Sequence, residues 1–150
     1  MGTLRFDHVG VIVDDIDAVS DFFLALGFER EWRGSVEGEV VDRINGLDGI
    51  RNEVEMIRTP DGTGKLELIK YHEPADPDSP HPFPPNRLGF RHIAIEIEDL
   101  NGTVDRLRGD GFHEVGEVQD YENSYRLVYI RGPEGLIVEL AEKLAANRSS

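Results

Sequence analysis

FDHVGVIVDD at residues 6–15 and FRHIAIEIED at residues 90–99 decide how this chain is read, because the second restates the first at a shift of 84 positions. Without a gap, Phe6 falls on Phe90, His8 on His92, Val9 on Ile93, Val11 on Ile95, Val13 on Ile97 and Asp15 on Asp99. The register continues through Ile16 on Leu100, Asp21 on Asp105, Gly27 on Gly111 and Phe28 on Phe112. Apolar periodicity, turn residues and a histidine kept together at one spacing mark a tandem repeat.

Each copy opens with a strand of period two, in which alternate residues face a core. An Asp follows as a helix N-cap, Asp14 or Asp15 in the first copy and Asp99 in the second. The helix then carries its apolar side chains on one stripe: Ile16, Val19, Phe23 and Leu26 in copy one, Leu100, Val104 and Leu107 in copy two. Gly27 closes the first helix, where a left-handed residue is wanted. Strand-like sequence comes next. GIRNEVEMIRTP (49–60) and KLELIKY (65–71) flank the turn DGTG, while YRLVYI (125–130) and GLIVEL (135–140) flank RGPEG.

The expected fold is therefore α+β, two tandem βαβββ modules forming a curved sheet around a metal-binding cleft. Module 1 spans about 4–71 and module 2 about 88–141, with a C-terminal tail at 142–150. Between the modules, HEPADPDSPHPFPPNR (72–87) holds six of the eight prolines, which bars it from helix or central strand. A stiff extended linker advances about 3.1 Å per residue, so it could reach roughly 50 Å, enough to pair the modules within one chain or to pass one to a neighbour.

Strand parity gives the histidines a meaning. Val9, Val11 and Val13 take the helix-covered face, so His8, Gly10 and Ile12 take the other; His92 and Ala94 repeat the pattern. In KLELIKY, Leu66 and Leu68 face the helix and Glu67 faces away, and in GLIVEL the same holds for Val138 and Leu140 against Glu139. A lone histidine on a strand is ordinarily a hydrogen-bonded structural residue. Two His and two Glu on matching faces at matching repeat positions suit a divalent first-row metal with coordination positions left open, such as nickel, cobalt, zinc or manganese.

Composition narrows the partners. A net charge of −14 disfavours nucleic acid and anionic membrane, which reward clustered Lys and Arg. The absence of cysteine removes disulfides and thiolate metal sites and leaves nitrogen and oxygen ligands. MGTLRFDH lacks the basic and apolar regions of a signal peptide, and no apolar run reaches membrane-spanning length, so a cytoplasmic protein acting on a small molecule is expected. Arg51, Arg58, Arg87, Arg91 and Arg126 could hold an anionic substrate, although surface arginines more commonly serve solubility.

Through DHVGVIVDDIDAVSDFF, the helix-ending LGF, RHIAIEIEDL and YIRGPEGLIVEL, the chain resembles the vicinal oxygen chelate superfamily, which includes glyoxalase I, methylmalonyl-CoA epimerase, extradiol dioxygenases and the fosfomycin- and bleomycin-resistance proteins. The resemblance covers essentially the whole chain. It implies paired modules, a homodimer, and a metal held by His8, Glu67, His92 and Glu139, with Glu139 counted among the catalytic carboxylates. Small bacterial glyoxalase I enzymes are similar in the His, Glu, His, Glu order. They carry Arg and Asn for glutathione where this chain has Ile12 and Tyr71, and losing a charged fork and an amide weakens recognition of a carboxylate-bearing thiol. Methylmalonyl-CoA epimerases are similar around VEMIRTP, where Glu55 stands at their catalytic base, but commonly have Gln at the position of Glu67.

Alternation puts Glu53 and Glu55 on one face. On the solvent side Glu55 is an ordinary strand carboxylate; in the cleft it could act as general base beside a metal-bound carbonyl. The leading expectation is a divalent-metal-dependent isomerase, epimerase or lyase of the glyoxalase type acting on a small carbonyl-containing metabolite. The alternatives are a ring-cleaving dioxygenase using His8, His92 and Glu139 with iron(II), against which Glu67 counts, and a metal-free drug-sequestering resistance protein, against which all four polar residues count.

Overall fold

The computed structural model describes residues 2–144. It divides into two compact units, 1–80 and 81–150. In the first, β1 (Val9–Ile12), α1 (Ile16–Ala25), β2 (Glu29–Glu37), α2 (Glu39–Asn45), β3 (Arg51–Arg58) and β4 (Lys65–Glu73) follow in order. The second runs through β5 (His92–Glu96), α3 (Leu100–Gly109), β6 (His113–Glu114), β7 (Gln119–Tyr121), β8 (Tyr125–Arg131), a short 3-10 turn (Pro133–Gly135) and β9 (Ile137–Lys143).

The sheets share one topology. β2, β3 and β4 form an antiparallel meander, and β1 joins its free edge parallel to β4, giving the order β1-β4-β3-β2. In the second unit the order is β5-β9-β8-β6, with β5 parallel to β9 and β7 antiparallel to β8. A parallel pair needs a crossover, and α1 or α3 leaves the first strand to supply the start of it. The mixed α+β architecture of repeated βαβββ units is thus present, and neither sheet closes on itself.

The helices form where the caps and stripes predict. Asp15 accepts from the Ala18 amide at 3.0 Å and Asp99 from the Gly102 amide at 3.0 Å, each satisfying an N-terminal donor that the helix itself cannot. α1 buries Ile16, Val19, Ser20, Phe22 and Phe23, then stops at Leu26 before Gly27, whose φ of +104° is costly for any residue with a Cβ. Phe23 and Phe28 meet edge to face at 5.3 Å, fixing the exit from the helix. Leu66, Leu68 and Ile57 lie under α1's unit as buried core, and Leu100, Val104, Leu107, Val138 and Leu140 play that part in the second unit.

Several boundaries differ from the sequence expectation. β4 runs to Glu73, so His72 and Glu73 belong to a strand and not to the proline-rich connection. The later part of that connection is folded onto the second unit: a Cβ on Gly135 would come within 2.6 Å of the Pro82 backbone and 2.8 Å of the His81 carbonyl. β9 likewise continues to Lys143, and the remainder of the expected tail, 145–150, lies outside the described residues. α2 was not anticipated. It buries none of its residues, leaving Val40 and Ile44 exposed, so it carries no core-facing stripe to recognise.

Candidate metal half-sites

β1 and β4 bring His8 and Glu67 together. Gly10 pairs with Glu67 in the parallel register, and His8 stands one same-face step before Gly10. His8 Nε2 lies 3.9 Å from Glu67 Oε1. The second unit repeats this: Ala94 pairs with Glu139, His92 stands one step before, and His92 Nε2 lies 3.5 Å from Glu139 Oε1. Both pairs are on the face turned away from α1 or α3, because Leu66 and Leu68, and likewise Val138 and Leu140, occupy the other.

These separations say something about the chemistry. They are too long for strong hydrogen bonds between imidazole and carboxylate. Two ligands bonded to one divalent ion at about 2.1 Å each can span them. The His8 ring is further held by Asp7, whose Oδ2 is 2.6 Å from Nδ1, leaving Nε2 to face Glu67. A carboxylate on the far ring nitrogen fixes tautomer and orientation in metal-binding histidines. The donor set of neutral nitrogen and anionic oxygen therefore fits a divalent metal. Among the described residues, no group of three or more His, Asp or Glu is arranged to hold a metal, so each pair offers a half-site of two donors.

Sequence reasoning missed Asp7 and Tyr129. Tyr129 lies directly across from Glu139 in the β8–β9 ladder, and its ring packs on His92 with centroids 4.7 Å apart. Burial first, then the Glu139 charge and a hydrogen bond with that carboxylate, raise the phenol above its ordinary pKa of 10.0. It remains a neutral donor toward Glu139. Its repeat counterpart is Met56, across from Glu67, and Trp32 follows on the next strand. Asp7 is legible only as the carboxylate next to His8 in the chain, and Tyr129 is found from the β8–β9 register.

Glu55 lies on the other face of its sheet. Residues directly opposite in an antiparallel ladder share a face, and Glu55 is opposite Leu68 while Met56 is opposite Glu67. Glu55 therefore sits on the helix-covered face, away from His8 and Glu67. Its side chain is fully buried, ion-paired to Arg30 Nε, with Arg33 Nη1 at 3.9 Å. Arg33 also donates to Glu53 at 2.9 Å and to Asp17 of α1 at 2.6 Å. The carboxylate expected as a proton acceptor is part of the ionic seam between helix and sheet.

Ile12 is 57% exposed on the uncovered face, and Tyr71 donates to Asn45 Oδ1 of α2 at 3.1 Å. Neither presents a cation to a ligand.

The model of the Glyoxalase/Bleomycin resistance protein/Dioxygenase superfamily matches residues 5–140. Among solved structures, a glyoxalase family protein from Bacillus cereus is 40% identical, with 97% of each chain covered and a TM-score of 0.93. The fosfomycin resistance protein FosX from Listeria monocytogenes is 16% identical over 98% of this chain and 99% of its own, with a TM-score of 0.62, and shares the fold. A mutant of that protein, 13% identical with a TM-score of 0.63 over 98% of this chain and 96% of its own, is solved with Mn(II) and 1S,2S-dihydroxypropylphosphonic acid. No curated protein matches the chain.

Proposed function

Since this chain belongs to the glyoxalase/bleomycin resistance protein/dioxygenase superfamily, we propose that it is a divalent-metal-dependent isomerase, epimerase or lyase acting on a small carbonyl-containing metabolite. The observation that carries this reading is the duplicated half-site: His8 with Glu67 and His92 with Glu139, each an imidazole nitrogen and a carboxylate oxygen at 3.9 and 3.5 Å on the helix-free face. The two half-sites together supply the ligands of one ion, nickel, cobalt, zinc or manganese. Bound there, the metal would polarise a substrate carbonyl and stabilise the enolate-like charge formed when a neighbouring proton leaves.

The protein's own residues divide the remaining work. Asp7 orients His8 and leaves Nε2 as the donor. Glu139 takes the proton-transfer role, since Glu55 is buried on the opposite side of its sheet and Glu139 is a carboxylate on the face of the site. Tyr129, kept protonated, donates to Glu139 and so holds the acceptor oxygen in place. The outward aromatic and thioether surface of Trp32 and Met56 lines the approach to Glu67 on its own sheet. A location in the cytoplasm and assembly as a homodimer complete the proposal.

The test is deuterium exchange at the carbon next to the carbonyl, followed in D₂O with the zinc-loaded protein under argon across a panel of small 2-oxo compounds. Exchange should proceed without oxygen and fall by roughly 10²- to 10⁴-fold in Glu139→Gln, whose metal content is measured alongside. Turnover that requires dissolved oxygen would move the protein to the dioxygenase class.

A further inference from the structure

The acid excess of this chain makes its unpaired cations conspicuous. Most described lysines and arginines have a carboxylate within ion-pair distance, from Arg5 with Asp7 to Lys143 with Glu96. Among the described residues, those without one are Arg87, Arg91, Arg106 and Arg131. Arg106 donates to Thr103 on its own helix. The other three gather at Phe83. The guanidinium carbons of Arg87 and Arg91 lie 5.1 and 5.2 Å from the Phe83 ring centroid, and His81 stacks on the same ring at 4.6 Å. Arg131 Nη1 donates to the Phe83 carbonyl at 2.6 Å and to the Gly135 carbonyl at 3.1 Å.

This cluster is built, not incidental. Gly135 is left without a side chain where Pro82 and His81 cross it, so the segment carrying Phe83 is seated on the turn before β9. Arg87 and Arg91 share the Phe83 ring and Arg131 holds its carbonyl, and among the described residues none of the three has a carboxylate within ion-pair distance, in a protein of net charge −14 with acids to spare. Arg91 Nε is buried with no hydrogen-bond partner. Ring stacking holds planar guanidinium groups while leaving their N–H edges to bind a ligand.

The position of the cluster ties it to the half-site. Ile137 pairs with His92 on one side and with Arg131 on the other, so Arg131 emerges on the face of His92, Glu139 and Tyr129. At about 4.8 Å per strand, its backbone is on the order of 10 Å from that of His92. We propose that Arg87, Arg91 and Arg131 around Phe83 form an oxyanion subsite, and that the substrate carries a carboxylate or phosphate-type group several bonds from the oxygens held at His92 and Glu139. The link to substrate rests on the metal-dependent reading above; the anion site itself does not.

Two measurements separate them. Inorganic phosphate and acetate are titrated into chelator-treated protein while the arginine Nε–H resonances are followed by NMR. Saturable shifts at Arg87, Arg91 and Arg131 are expected, weakened about tenfold or more in Arg87→Gln/Arg91→Gln and unchanged in Arg43→Gln, whose cation is paired with Glu39 on α2. Then the Mn(II)-loaded protein is titrated with acetohydroxamate, succinic monohydroxamate and phosphonoacetohydroxamate. The anionic pair should bind at least about tenfold more tightly than acetohydroxamate, and that advantage should vanish in the double variant. The better of the two tells carboxylate from phosphate-type substrate. Absence of saturable phosphate and acetate binding, or equal affinity in the double variant, overturns the subsite. Failure of acetohydroxamate to bind the Mn(II)-loaded protein, with the phosphate response intact, overturns the metal reading and the link to substrate, leaving the anion site standing.

Discussion

Glu55 shows how one residue's face changes its chemistry. From alternation alone it shares a face with Glu53, and nothing in VEMIRTP says which face that is. The register with β4 decides it: opposite Leu68, Glu55 is buried with the helix. Its partner Arg30 is about half exposed, while Glu55 itself has no access to solvent. Replacing it with Gln keeps the shape and removes the charge that Arg30 and Arg33 answer. Glu55→Gln should lower stability by about 1–3 kcal/mol in denaturant unfolding, with metal content unaltered and catalysis changed little at a temperature where the variant is folded. A loss of turnover of a hundredfold or more in a folded variant would return Glu55 to the site.

The elements around α1 are bound by charge as well as by burial, and this has a pH signature. Arg33 of β2 donates to Glu53 of β3 and Asp17 of α1, and its hydrogen bond, ahead of that from His72, holds the Glu53 carboxyl below its ordinary 4.5. Arg108 of α3 does the same for Glu114 of β6. A carboxyl whose folded pKa is depressed contributes stability above its unfolded pKa and loses it as pH falls through the folded one. The melting temperature should therefore fall as pH drops below about 4.5, with a shallower slope in Glu53→Gln. Identical slopes in the two proteins would show that Glu53 is not part of the acid response. At this scale the repeat made the first strands, capped helices and final hairpins legible, since capping and period-two burial are local. β2 lacked that signal: six of its nine residues, including Trp32, are exposed, its register shifts at a bulge between Arg30 and Trp32, and α2 has no buried face.

For the whole molecule, the 84-residue repeat predicted the architecture because both copies must bury the same kind of helix on the same kind of sheet. It also put His8, Glu67, His92 and Glu139 on equivalent faces by parity alone; the distances needed register, and Tyr129 and the arginine cluster needed contacts across strands. The repeat has a further exposed counterpart. Leu4 and Phe6 before β1 are 99% and 74% exposed, and their equivalents Leu88 and Phe90 before β5 are 93% and 100% exposed. Apolar side chains so placed in both copies favour a covering partner. We expect a homodimer by light scattering at micromolar concentration, and a shift to monomer in Phe6→Glu/Phe90→Glu; a monomeric parent protein would contradict this. The most direct test of the central claim is elemental analysis of protein purified without chelator, compared with His8→Ala, Glu67→Ala, His92→Ala and Glu139→Ala. The account predicts one divalent ion per His8, Glu67, His92, Glu139 set in the parent and a sharp loss in every variant, from either repeat; full metal content retained in His8→Ala and Glu139→Ala would contradict it.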